Sequence, residues 1–344
     1  MIRINSNNSI NLEMLAQDYF TNYFKKNFIN IFDNLPQKSR LSKEDKAFLN
    51  FLKDKIDTVI MGSPEELESK IIKEVNKLYS NSIQKLKSKK SPITKVVKKI
   101  FNYDHFVERG DHEWGAYKFT KELGVSVCPY CNRSFITTYY SKNGKTRPTI
   151  DHYLDKASYP YLALSFYNLI PSCYTCNSSL KGTKTFTIDK FLHPHIKGMG
   201  DDFRFTVKFL NDYNVDYLTL FDRNINIFEL DFTSPTLPKD DEFYIKAERT
   251  ANKFKLKELY NEAHKDYVVE QIVRARIYNR NYINSLLETF PTLFSGPDDA
   301  IRLLTGNYTA LEDQDKRVLA KLTRDITNEF KIYDDESLFF KKTM

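Results

Sequence analysis

Apolar runs of the roughly 18 residues that a membrane-spanning helix needs are missing from this chain of 344 residues. An export signal is missing as well: after Arg3 the chain runs Asn-Ser-Asn-Asn, and no apolar stretch precedes a small-residue cleavage site. The expectation is a cytoplasmic protein with no membrane partner. Cysteine is scarce, four residues in all, which excludes the disulfide framework of a small secreted scaffold. No internal repeat, low-complexity tail or recognition-helix signature is visible, so nothing in the pattern reads individual bases.

What is present is an ordinary globular composition. Hydrophobic residues make up 41%, aromatic residues 14% and charged residues 28%, which argues against wholesale disorder. At about 150 residues per domain the length allows two to three structural units. The net charge of +7 is unevenly placed. Residues 1–200 carry 31 Lys and Arg against 19 Asp and Glu, a net of +12, and the remainder carries 21 against 26, a net of −5. Between Lys70 and Lys99 ten lysines face one acid, Glu74. That suits a surface that follows phosphates, and equally a solvated helix face with a linker.

The pattern predicts an α+β protein that is mainly helical. Leu12, Leu15, Tyr19 and Phe24 recur at helical spacing, and Ser63-Pro64-Glu65-Glu66 reads as a capped helix start. Ser91-Pro92 is the expected boundary or hinge of a helical region 1–124, whose basic segment is 70–99. Residues 125–200 change to cysteines, turn residues and short β-prone runs such as Ser134 to Tyr140, with Asn143-Gly144 as a turn. Region 201–344 is expected to open with a small antiparallel meander. Its strands are the alternating Phe203–Leu210, then Val215–Leu220 and Ile225–Leu230. Helices follow from about Phe243 to Phe290 and Asp298 to Phe330, with Val268, Ile272 and Ile277 at helical intervals.

All four cysteines fall into two pairs, Cys128-Pro-Tyr-Cys131 and Cys173-Tyr-Thr-Cys176, with 41 residues between them. Four thiolates suit one tetrahedral Zn²⁺, and a site closed by four protein ligands is structural because it leaves no position for water or substrate. The competing readings are a pair of redox motifs or coincidence. Between and beyond the pairs lie Thr149-Ile150-Asp151-His152-Tyr153-Leu154 and Phe166-Tyr167-Asn168-Leu169, leading into Cys173-Tyr-Thr-Cys176-Asn177 and Lys181.

This segment, about residues 126–182, resembles the HNH (ββα-metal) nuclease family. In that family CxxC pairs flank an Asp-His strand, an Asn-Leu loop and a helix that starts at the second pair. The resemblance implies an embedded zinc-stapled ββα module with His152 as the general base, Asp151 and Asn177 as ligands of a catalytic divalent ion, and Asn168 as a loop brace. Imidazole is the side chain whose unperturbed pKa suits that task. Asn177 stands where many members have a last histidine. A carboxylate with a carboxamide oxygen favours Mg²⁺ or Mn²⁺ over Zn²⁺ or Ni²⁺. Lys181 is a candidate phosphate contact, with a helix-surface lysine as the plain reading. His193 and His195 are accessory candidates without an assigned role, and His105, His112, Glu113 and Trp114 read as structural.

Tyr159 to Cys173, the Phe191-Leu-His-Pro stretch and Lys321 to Ile326 look similar to HNH proteins of bacterial antiphage systems, of the PtuB-like type found in Septu and some retrons. That likeness implies a regulated metal-dependent endonuclease. Its partner would be an ABC- or AAA-type ATPase, and its substrate nucleic acid, DNA favoured over RNA or transfer RNA. A rival expectation is a catalytically silent, zinc-stapled adaptor that docks nucleic acid or an ATPase.

Overall fold

Helix starts follow the capping chemistry closely. Ser63 accepts from the Glu66 backbone N–H while the Glu66 side chain accepts from the Ser63 N–H, with Pro64 at the first helical position. Ser42 and Asp45 repeat the device before the Lys43–Asp54 helix. Asn11, Asn102, Asp241 and Asn279 cap the helices Leu12–Tyr19, Tyr103–Glu108, Glu242–Lys253 and Arg280–Thr289. The computed structural model describes residues 1–33, 41–79, 82–88, 90–210 and 227–330. About 53% of the chain is helical, well above the usual third, so the fold is mainly helical α+β with small antiparallel sheets.

Ser91-Pro92 differs from its expected role. Pro92 opens the Pro92–Ile100 helix with Ser91 at its N-cap, where a missing N–H costs nothing, and both residues lie within one unit. Of the expected meander, Val215–Leu220 lies outside the described residues. The partner strand is Phe228–Thr233, which overlaps the Ile225–Leu230 expectation from Phe228 to Leu230; Ile225 and Asn226 lie outside the described residues.

Contacts divide the chain into two units that are discontinuous in sequence. One contains Met1–Asn7, Tyr130–Phe135 and the chain from Lys197 onward; the other contains Asn8–Pro129 and Ile136–Ile196. The strands are numbered in chain order: β1 (Tyr139–Tyr140), β2 (Lys145–Thr146), β3 (Thr149–His152), β4 (Leu169–Ser172), β5 (Arg204–Phe209) and β6 (Phe228–Thr233). They pair only as β1–β2, β3–β4 and β5–β6 among the described residues, each antiparallel.

In the first unit, Arg204 pairs with Thr233 and Phe209 with Phe228. A two-stranded sheet has two open edges, and side chains close both. Asp325 and Glu329 accept from the Phe205 and Val207 N–H groups, and Asn261 both accepts from Leu230 N and donates to its carbonyl. Val268 and Ile272 are buried in the Lys265–Ile277 helix, whereas Ile277, its last residue, is exposed.

The second unit has an aromatic core. The rings of Phe106, Trp114, Phe119 and Phe166 surround Tyr19, which is fully buried. Burying a phenol requires a partner for its hydroxyl, and the Tyr19 Oη–H donates to the Leu164 carbonyl at 3.0 Å. Ser165 Oγ–H donates to the Val59 carbonyl, and Asn168 N–H to Ser165 O. The loop between β3 and β4 is therefore nailed to the helical core at successive residues. His105 rests on Tyr23 and Arg109, and Trp114 Nε1–H donates to Asp18 at 3.0 Å, as structural residues would.

Candidate functional site

The β3–β4 ladder places Asp151 opposite Ile170 and His152 opposite Leu169, and the Thr175–Lys181 helical segment follows β4. Gly182, at φ 59° and ψ −136°, ends that segment and donates its N–H to Asn177 O, a positive-φ conformation that glycine adopts without Cβ strain. Strand, strand and helical segment thus follow one another along the chain.

The four thiols of Cys128, Cys131, Cys173 and Cys176 come together: their sulfurs all lie within 4.8 Å of one another. All four are free of disulfides, with Cys173 half-buried and the other three buried. Backbone N–H groups are aimed at two of the sulfurs, Arg133 N–H at Cys131 Sγ and Cys176 N–H at Cys173 Sγ, each at 3.4 Å. Such donors favour a charged sulfur over a neutral thiol. The first is possible because Asn132 turns the chain at φ 53°, a conformation asparagine tolerates. Asn132 is itself locked: its amide donates to Gln314 O and accepts from Lys321 N–H, each at 3.0 Å. The cluster fits a structural metal ion such as zinc. Neither CxxC spacing nor composition singles out Asn132; only its position after the second cysteine of a pair hints at a turn.

At His152 the imidazole is buried, and its Nε2–H donates to the Ala163 carbonyl at 3.0 Å. A carbonyl only accepts, so Nε2 holds the hydrogen and Nδ1 keeps its lone pair. Burial, helped by the nearby Lys156 charge, pushes the imidazole pKa down to about 3, so the ring is neutral near pH 7. Tyr103 stands edge-on to it, ring centroids 4.5 Å apart. Neighbouring strand residues point to opposite faces, yet Asp151 and His152 are both buried because β3 is covered on both sides.

The other cover is Lys181. Its ammonium donates to Asp151 Oδ1 at 2.9 Å and to the His152 carbonyl at 2.6 Å, with side chains only 1% and 3% exposed. This corrects the reading of Lys181 as a phosphate contact: a four-carbon stem under the strand turns its charge inward, where it neutralises a buried carboxylate. Asn177 is half-buried four residues before Lys181. Its backbone N–H donates to Cys173 O and its carbonyl accepts from Gly182 N–H. Asp151 and Asn177 offer oxygens only, the donor chemistry of a hard cation, and a carboxylate has lone pairs beyond the one Lys181 takes. The ammonium against Asp151 Oδ1 and the His152 carbonyl indicates that positive charge is accommodated there.

Asn168 closes the loop between β3 and β4. Its Oδ1 accepts from Leu154 N–H at 2.7 Å, and its Nδ2 donates to the carbonyls of Leu154 and Leu162 at 3.1 and 3.0 Å. These side-chain bonds all go to main-chain groups, and they hold the segment that carries the Ala163 carbonyl. Ala163 and Tyr103 are the participants that sequence reading missed. A backbone carbonyl has no residue signature, and Tyr103 reaches His152 only through tertiary packing.

The His193 ring packs on Tyr153, centroids 4.1 Å apart, and its Nδ1 accepts from His195 N–H at 3.2 Å. Burial, then the His195 and Lys181 charges, hold the His193 pKa well below its ordinary value. The unfolded chain therefore binds this proton first, and stability falls as pH drops below about 6.5, by up to about 1.4 kcal/mol per pH unit. His193→Asn keeps an acceptor in place of Nδ1 and removes the titration. Urea unfolding between pH 7 and pH 5 should show a correspondingly shallower acid loss for the variant; parallel curves would mean that His193 is protonated in the fold.

No family model, no curated protein and no solved structure matches this chain. Among the described residues, no helix is long and apolar enough to cross a membrane.

Proposed function

We propose that the chain is a metal-dependent phosphodiester hydrolase of HNH type, with His152 as its base and Zn²⁺ in the four-cysteine cluster. The observation that carries this reading is the Nε2–H to Ala163 hydrogen bond, which leaves Nδ1 as the proton acceptor on a ring held by a triply anchored loop. A ring kept neutral by burial is a weak base until an anion arrives beside it. An entering phosphodiester supplies that charge and raises the basicity of Nδ1 when a water is to be deprotonated. Asp151 and Asn177 would hold Mg²⁺ or Mn²⁺, which stabilises charge on the phosphate and the leaving oxygen. The substrate is nucleic acid, whose phosphates the net charge of +7 suits, with DNA placed ahead of RNA, and the protein is an antiphage effector working with an ATPase partner.

The buried Lys181–Asp151 pair favours a second reading, a zinc-stapled adaptor in which Asp151 is a structural counter-ion. Cleavage separates the two. With Mn²⁺ or Mg²⁺ present, the wild type should nick supercoiled plasmid or cut total RNA, and His152→Ala should lose about 10²-fold or more of that rate while keeping its zinc. Equal cleavage by both proteins would remove His152 from the chemistry.

A further inference from the structure

The inward turn of Lys181 leaves the proposed reaction without a side-chain cation for the phosphates that flank the scissile one, and a different lysine is placed to supply it. Lys156 Nζ stands 4.4 Å from the ring centroid of Tyr103, the same ring that packs edge-on at 4.5 Å against His152. One tyrosine ring therefore contacts both the ammonium and the imidazole. Lys156 is exposed where Lys181 is sealed, and it has no ion-pair partner among the described residues. Its backbone is fixed as well: Asp155 Oδ1 accepts from Ala157 and Ser158 N–H groups at 3.1 and 2.9 Å, an Asx turn with Lys156 inside it.

We propose that Lys156 is the phosphate-binding cation of the His152 site, and that Tyr103 sets its position for a phosphodiester chain running past the imidazole. The inference rests on the hydrolase reading for its purpose but on separate residues for its geometry. Burial of part of its stem lowers the Lys156 pKa, with Asp104 opposing and Lys98 adding to the fall. Arg147 is felt by the Tyr103 hydroxyl. Lys98, exposed on the Pro92–Ile100 helix, brings a second cation close to Lys156, with Asp104 as the opposing acid. A polyanion, with phosphates at regular spacing, suits such a rim better than a single small anion.

The test is equilibrium binding of a labelled DNA duplex and, separately, a labelled RNA hairpin to the full-length zinc-loaded protein carrying His152→Ala, between 50 and 200 mM salt. Adding Lys156→Gln should weaken binding about 5- to 10-fold at the low-salt end and reduce the slope of log affinity against log salt by about one, the signature of one lost phosphate contact. Lys156→Arg should restore both. The arm that binds identifies the polymer. Unchanged affinity and slope for Lys156→Gln, or no binding by the His152→Ala protein to either polymer, overturns the proposal. A Lys156→Gln defect alongside undiminished cleavage by His152→Ala would instead uphold the phosphate site and remove the base.

Discussion

Cys176→Ser is expected to cost the protein its bound metal and most of its stability. The cluster holds four sulfurs within 4.8 Å of one another, and Cys176 is buried. Four thiolates at that spacing repel strongly unless a cation neutralises them, and a tetrahedral S₄ set selects zinc or iron. Apparent binding free energies for structural zinc run to about 10–16 kcal/mol in small peptides, and whole domains are stable by only about 5–15 kcal/mol. Losing one ligand of four need forfeit only part of that to bring the chain close to unfolding. At roughly 2–4 °C per kcal/mol, the thermal midpoint should fall by about 10 °C or more. Metal analysis of the wild type should give one ion per chain, released together with the midpoint drop on chelation. Cys173→Ser, at the half-buried position, should lose less, because water can partly solvate what replaces it. An unchanged midpoint for Cys176→Ser, with a metal-free wild type, would leave the cluster as four ordinary thiols.

The parts of this arrangement that are local were legible in the amino-acid order. Capping at Ser63, the turn at Asn143-Gly144 and the two CxxC pairs each depend on residues a few positions apart, where residue type alone restricts the backbone. Asn143-Gly144 does lie between β1 and β2, with Ser141 N–H donating to Gly144 O. Directions of long side chains were not legible. Lys181 is spaced like a surface lysine after a helical turn, and only the buried carboxylate of Asp151 explains why its ammonium goes under the strand. Tyr103 and Ala163 belong to segments 49 and 11 residues from His152, and the contacts that bring them there are aromatic packing and a main-chain carbonyl. Neither leaves a pattern of period 2 or 3.6. The discontinuous units are invisible for the same reason: β5 depends on Asp325 and Glu329 to fill its open edge, more than a hundred residues away.

Lys181→Met carries the second large effect, and it decides what Asp151 is for. Removing one partner of a buried ion pair leaves the other as an uncompensated charge, which costs about 3–5 kcal/mol. Here the group that loses its cation would be the Asp151 carboxylate, and the His152 carbonyl would lose a 2.6 Å donor as well. Urea unfolding should show the loss, and Lys181→Gln, which retains a donor, should lose less. Millimolar Mn²⁺ then separates the two readings of the site. A hard cation that ligates Asp151 competes with the ammonium in the wild type and meets no rival in Lys181→Met, so it should stabilise the variant by more than the wild type. The recovery reaches about 2.7 kcal/mol where the ion stands at 100 times its dissociation constant. Asp151→Asn placed on top of Lys181→Met should abolish that recovery, since a carboxamide binds such ions far less well than a carboxylate. If Mn²⁺ shifts wild type and Lys181→Met equally, Asp151 serves only to balance Lys181, and the adaptor reading gains what the hydrolase reading loses.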